Sequence, residues 1–178
     1  MKKTNILFLL IFLSIQYVSV GQESKYDFDT RHYVGGYFGL HFGSVLNINV
    51  SPNYGFYVLP RLSIGVGGSY QYYSNTLNVP PTQLNIFGGS VFSRFDIIDA
   101  LYVHGEFEVL TYKTDMFSPI RQMEQIVSEN VLIGAGYRQL FSYGEKSCIY
   151  IMLLFNLNDT FFTPYSNPVI RMGLEIHF

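Results

Sequence analysis

The chain has 178 residues, 48% hydrophobic and 17% aromatic but only 13% charged, about half the charged share of an ordinary soluble domain. A formal net charge of −2, two units more negative once Lys2 and Lys3 are removed, excludes a strongly basic nucleic-acid binder. The single cysteine, Cys148, excludes an intramolecular disulfide, and no run after the leader reaches the ~18 apolar residues of a membrane helix.

Residues 1–21 read as an address. Lys2 and Lys3 form a positive start, and Ile6 to Ile15 form an apolar run broken only by Ser14. Ser19 and Gly21 are the small residues a signal peptidase accepts, which puts cleavage between Gly21 and Gln22. The site has no nearby cysteine, which argues against a lipoprotein anchor. A retained membrane helix is the competing reading; the short apolar run and the cleavage site weigh against it. Residues 22–31 are polar and form an N-terminal arm, leaving 32–178 as the folded domain.

From there apolar and polar residues alternate almost continuously, the signature of β-strands. Strand one is expected from Tyr33 to Phe42, with Val34, Phe38 and Leu40 opposite Tyr33, Tyr37 and His41. Strand two starts near Leu46 and ends near Val58. Strand three runs from Leu62 to Tyr73, with Ile64, Val66 and Tyr70 opposite Ser63, Ser69 and Gln71. Strand four, Gln83 to Ile97, places Phe87, Val91, Phe95 and Ile97 against Ser90, Arg94 and Asp96. Strand five, Leu101 to Tyr112, sets Leu101, Val103, Phe107 and Val109 against His104, Glu106 and Glu108. Strand six is expected from Asn130 to Phe141, strand seven from Cys148 to Asn158, and strand eight from Val169 to Phe178. In the last, Ile170, Met172, Leu174, Ile176 and Phe178 alternate with Arg171, Gly173, Glu175 and His177.

The connections alternate too. Leu59-Pro60-Arg61, Asp99-Ala100 and Tyr143-Gly144-Glu145-Lys146 are tight, whereas Ser74 to Thr82, Lys113 to Glu129 and Asp159 to Pro168 are long. The link near Gly43 and Ser44 is the short exception. Within the second long loop, Ser118 and Pro119 could open a two-turn helix carrying Ile120, Met123 and Val127 on one side; an irregular loop is the alternative. Short turns at one end, long loops at the other and both termini on the short-turn side require an even strand number, and eight fits.

Alternation alone does not separate a soluble barrel from a membrane barrel, because both have one apolar face. The polar face decides here. It is rich in glycine and sparse in charge, and the expected strands contain no lysine, which suits a narrow interior better than a solvated exterior. The strands run ~10–12 residues, against ~5–6 in globular proteins, as tilted bilayer-crossing strands require. Fifteen tyrosines and sixteen phenylalanines, without tryptophan, can furnish interfacial belts. The expected fold is all-β: an eight-stranded antiparallel transmembrane β-barrel, an up-and-down meander.

The final strand, Val169-Ile170-Arg171-Met172-Gly173-Leu174-Glu175-Ile176-His177-Phe178, resembles that of small OmpA/OmpX-like outer-membrane β-barrels. Ser51-Pro52-Asn53-Tyr54-Gly55-Phe56-Tyr57-Val58 looks like the second strand of porin-like barrels of Bacteroidetes-type bacteria. The resemblance implies residence in the outer membrane of a Gram-negative bacterium. It also implies outer-membrane lipid as a partner and a C-terminal insertion signal, Met172, Leu174, Ile176 and Phe178, read by the barrel-assembly machinery.

The inward set holds Arg94, Asp96, His104, Glu106, Glu108, Arg138, Arg171 and Glu175. An eight-stranded barrel has room inside only for side chains, so these charges are expected to pair and plug the lumen. A proton path or gated pore is the functional alternative. His104 and Glu106 share a strand face but lack an evident third metal ligand, and His32, His41 and His177 are scattered. Gly65-Val66-Gly67-Gly68 lacks the context of a dinucleotide-binding turn, so no cofactor is expected. The leading expectation is a non-enzymatic barrel whose loops contact an extracellular partner, for adhesion or envelope integrity. The rivals are a lipid-modifying barrel enzyme using His41 with Ser44, and a soluble periplasmic barrel holding a lipophilic ligand.

Overall fold

The computed structural model describes residues 31–41, 45–75, 82–114, 124–141, 147–160, 163–164 and 167–178. Eight strands follow in chain order: β1 His32–His41, β2 Val45–Leu59, β3 Leu62–Asn75, β4 Thr82–Ile98, β5 Leu101–Thr114, β6 Glu124–Leu140, β7 Cys148–Asn156 and β8 Val169–His177. Each pairs antiparallel with the next, and β8 returns to β1 to close the barrel. The closing seam runs from Tyr33 opposite His177 to Tyr37 opposite Gly173. It is locked at its base by reciprocal backbone hydrogen bonds between His32 and Phe178, at 3.2 and 2.9 Å. Closure gives every strand two neighbours and removes the free edges that an open sheet exposes.

Local sequence explains the turns. Pro60-Arg61 and Asp99-Ala100 are two-residue connections, with Leu59 opposite Leu62 and Ile98 opposite Leu101. A register shift precedes each, between Tyr57 and Leu59 and between Asp96 and Ile98, so the strand coils into its turn. In mid-β2, Pro52 pairs with Gly36 of β1, but the ladder to β3 is interrupted between Val50 and Asn53. A residue without an N–H leaves that gap.

The wall is inside-out relative to a water-soluble barrel. Leu153, Leu174 and Ile176 stand 43%, 54% and 58% exposed, while Arg171 and Glu175 are 5% and 1% exposed. On β5 and β7 the alternation is unbroken over most of the strand. Arg94, Asp96, His104, Glu106, Glu108 and Arg138 are buried in the lumen as well. The interior is not uniformly polar. Leu132, Tyr150, Met152 and Leu154 form one apolar cluster against Val169, and Ile86, Leu110 and Tyr112 form another.

Three expectations need correction. β6 begins at Glu124, not Asn130, so residues 124–127 are strand rather than helix or loop; Ser118 to Met123 lie outside the described residues. The ladder Lys113–Gln125 and Thr114–Glu124 lengthens β5 too, and pairing these backbones satisfies groups that a helix would have left open on β5. Lys113 thereby enters a strand, exposed near its end, so the strands are not free of lysine. β7 stops at Asn156, two residues early. There the Asn167 side chain replaces the ladder: its Oδ1 accepts from Asn156 N at 2.7 Å and its Nδ2 donates to Asn156 O at 3.0 Å. The leader 1–21, most of the arm 22–31, Phe42 to Ser44 and residues 76–81 also lie outside the described residues.

Candidate functional site

The ionic lumen is built in tiers. Nearest the short turns, Arg138 on β6 pairs with Asp96 on β4. Its Nε donates to Asp99 O at 2.9 Å and its guanidinium donates to Tyr57 Oη at 3.1 Å, while Tyr57 Oη donates to Asp96 Oδ2 at 3.0 Å. Every strong acceptor in this tier has a donor, as burial demands.

In the middle tier Arg94 pairs with Glu175 across the barrel. Arg94 lies over the rings of Phe92, Tyr102, Tyr150 and Tyr33, at 4.8, 5.2, 5.4 and 5.7 Å from their centroids. Four aromatic faces around one guanidinium supply negative quadrupole density where water is excluded. Arg94 Nε donates to His104 Nδ1 at 3.1 Å, and His104 Nε2 meets Glu106 Oε2 at 3.0 Å. Because Nδ1 accepts, the proton resides on Nε2 and is donated to Glu106. Above, Arg171 reaches Glu106 at 2.5 Å and Glu108 at 3.3 Å and covers the Tyr37 ring at 4.6 Å.

The eight inward candidates form two hydrogen-bonded sets, Arg138 with Asp96 and the other six together, bridged by the Tyr102 ring, which lies 5.2 Å from both Arg94 and Arg138. His104 and Glu106 do not offer a joint metal site, since Arg94, Arg171 and each other already take their ligand atoms. The His41 backbone pairs with Asn47 on β2, whereas the His41 side chain and Ser44 lie outside the described residues. His32 is on the outer wall, its Nδ1 2.5 Å from Tyr54 Oη.

Sequence reading missed the aromatic cage, although Tyr33, Phe92, Tyr102 and Tyr150 all sit at inward positions of their strands. Glycine makes room for all four: the Tyr33 ring lies over Gly55, Phe92 over Gly65, Tyr102 over Gly136 and Tyr150 over Gly173, where a Cβ would overlap the ring. It also missed Cys148, which pairs with Glu175 across the β7–β8 ladder and is wholly buried.

Toward the loop end the β1–β8 pairing stops at Tyr37–Gly173, although β1 continues to His41 and β8 begins at Val169. A cavity of about 140 Å³ lies along this part of the seam. Inward-facing Tyr37, Asn49, Gln71, Glu108 and Arg171 line it within the lumen, and Phe38, Ile170 and Met172 line it where the β1–β8 ladder has ended.

No protein-family model and no curated protein matches this sequence. Among solved structures, the chain is similar to the Yersinia pestis outer membrane protein Ail in a phospholipid bilayer nanodisc. That match has 14% identity and a TM-score of 0.49, and it covers 84% of this chain and 100% of that one.

Proposed function

We propose that the chain is an integral outer-membrane protein of a Gram-negative, Bacteroidetes-type bacterium: a non-enzymatic barrel that anchors surface loops. One observation carries this reading, the apolar outer wall of a closed barrel whose ions face inward. In lipid every backbone polar group needs an internal partner, and a closed barrel supplies one. β7 and β8 have nine residues each. Nine residues rise about 30 Å, and a tilt of about 40° brings that to about 23 Å, close to the apolar band of outer-membrane barrels. Tyr54 and Tyr137 stand exposed toward the short-turn end and Tyr70 toward the loop end, where interfacial rings belong.

The ion-paired lumen serves as a polar plug. The connections 76–81, 115–123 and 157–168 form the surface for an extracellular partner in adhesion or envelope integrity. The leader 1–21 directs export, and Met172, Leu174, Ile176 and Phe178 present the insertion signal to the assembly machinery. Fractionation tests the whole reading. The protein should stay with membranes in carbonate, require detergent for extraction, and migrate anomalously on gels until boiled. Release by carbonate alone would sink it and leave the soluble barrel.

The seam cavity favours a second reading, in which an acyl chain or other lipophilic ligand enters sideways between β1 and β8, with or without chemistry on it. A changed lipid profile in a deletion strain, uncorrected by His41→Ala, supports the enzyme; identical profiles remove it.

A further inference from the structure

At the short-turn end of the lumen, Cys148 and His177, which take no part in the arginine network's hydrogen bonding, converge on Glu175, which does. Cys148 Sγ, Glu175 Oε2 and His177 Nε2 lie within 4.8 Å of one another. Cys148 opens β7, and Glu175 and His177 close β8, so the ladder holds all three on the same inward face. Glu175 is divided in use. One oxygen serves Arg94, while Oε2 stands 4.0 Å from Cys148 Sγ and 3.9 Å from His177 Nε2.

His177 makes this more than a chance grouping. Its side chain is 2% exposed, and both ring nitrogens are buried without a hydrogen-bond partner. Buried polar atoms of native proteins are paired in the great majority, so an imidazole with two orphan nitrogens leaves Nε2 open to a ligand on the Glu175 side. The ring is fixed from the side, stacked on Tyr33 at 5.0 Å and tilted against Tyr57 at 6.0 Å.

Charge points the same way. Among the described residues the buried acidic and basic side chains other than histidine are Arg94, Arg138 and Arg171 against Asp96, Glu106, Glu108 and Glu175, one acid in excess. A divalent cation bound to a deprotonated Cys148 brings the lumen to neutrality, which matters where the dielectric is low. Thiolate, imidazole and carboxylate together select a borderline-soft ion over Mg²⁺ or Ca²⁺. Tetrahedral Zn²⁺ with ordinary bond lengths sets such ligand atoms about 3.4–3.6 Å apart. The 3.9 and 4.0 Å found here need a few tenths of an ångström of closure, and the Cys148–His177 pair, within 4.8 Å, needs up to about 1 Å, which side-chain rotation of Cys148 and His177 supplies.

We propose that Cys148, Glu175 and His177 bind one thiophilic divalent transition-metal ion of the Zn²⁺ class. On binding, a metal–sulfur bond replaces the Cys148 S–H bond and the proton leaves to solvent. Water takes the fourth position. The ion ties the start of β7 to the end of β8, beside the seam that closes the barrel, and so stabilises the folded state by mass action. This proposal needs the folded barrel but not its cellular location.

The test uses tag-free protein in detergent, stripped with EDTA and shown to be folded by heat-modifiable mobility. Co²⁺ is the probe. One equivalent should produce a thiolate-to-cobalt charge-transfer band, which Zn²⁺ then bleaches. Cys148→Ser should abolish the band, His177→Gln should weaken Co²⁺ binding by about tenfold or more, and His32→Gln should leave it unchanged. Variants that do not reach the membrane are refolded from urea into the same detergent. The wild-type titration stands by itself: no charge-transfer band in folded wild-type protein overturns the site and assigns the gap to water. A band that survives Cys148→Ser overturns it equally.

Discussion

Arg138 shows what a buried ion pair does at the scale of one residue. It offsets Asp96, donates to Tyr57 and reaches the Asp99 carbonyl, so its removal strands a carboxylate in a place without water. Arg138→Met should cost about 3–5 kcal/mol in urea unfolding, and adding Asp96→Leu should recover most of it, because a pair removed together leaves no bare charge. A double variant as unstable as the single one would contradict the pairing. Gly136 makes a second case. A methyl group there would push the Tyr102 ring away from Arg94, so Gly136→Ala should cost about 1–3 kcal/mol. In a Tyr102→Ala background the same change should be nearly neutral. The inward position of all eight charged and histidine candidates was legible from strand parity alone. The ring-over-glycine fits were not, since they depend on which glycine of the next strand lies opposite.

At the scale of the element, the wall can be interrogated directly. Ile133 on β6 is half exposed, between Gly105 of β5 and Phe155 of β7. Ile133→Lys should destabilise the barrel in lipid vesicles by about 2–4 kcal/mol. A neutral effect would mean that this wall faces water. The strands themselves were readable to within a few residues wherever apolar side chains line the outer face, as in β4, β5, β7 and β8. The start of β6 was not. Gln125, Ser128 and Glu129 give it little apolar alternation, and Ser118-Pro119 mimics a helix start. Its strand state comes from the ladder to residues 108–114 of β5, a non-local cause that no window of sequence contains. The end of β7 was overrun for the converse reason: its alternation continues to Asn158, but the Asn167 side chain displaces the ladder at Asn156.

For the molecule as a whole, the filled lumen makes a prediction about transport. Three arginines, their acidic partners and four tyrosines occupy the middle of the barrel, and two apolar clusters add to the filling. Purified protein in a planar bilayer should therefore show no steady conductance; an ohmic current that scales with the number of inserted molecules would refute the plug.

Sequence by itself determined the strand number, the meander and which side chains turn inward, because a strand's side-chain period of two is a local property. Only the tertiary structure decided who meets whom inside. Arg94 finds Glu175, and Arg138 finds Tyr57, each across 81 residues of chain. Those meetings are set by the stagger with which β8 closes onto β1, and closure is a property of eight strands together. Cys148 meets Glu175 and His177 through the register of the adjacent β7–β8 ladder instead.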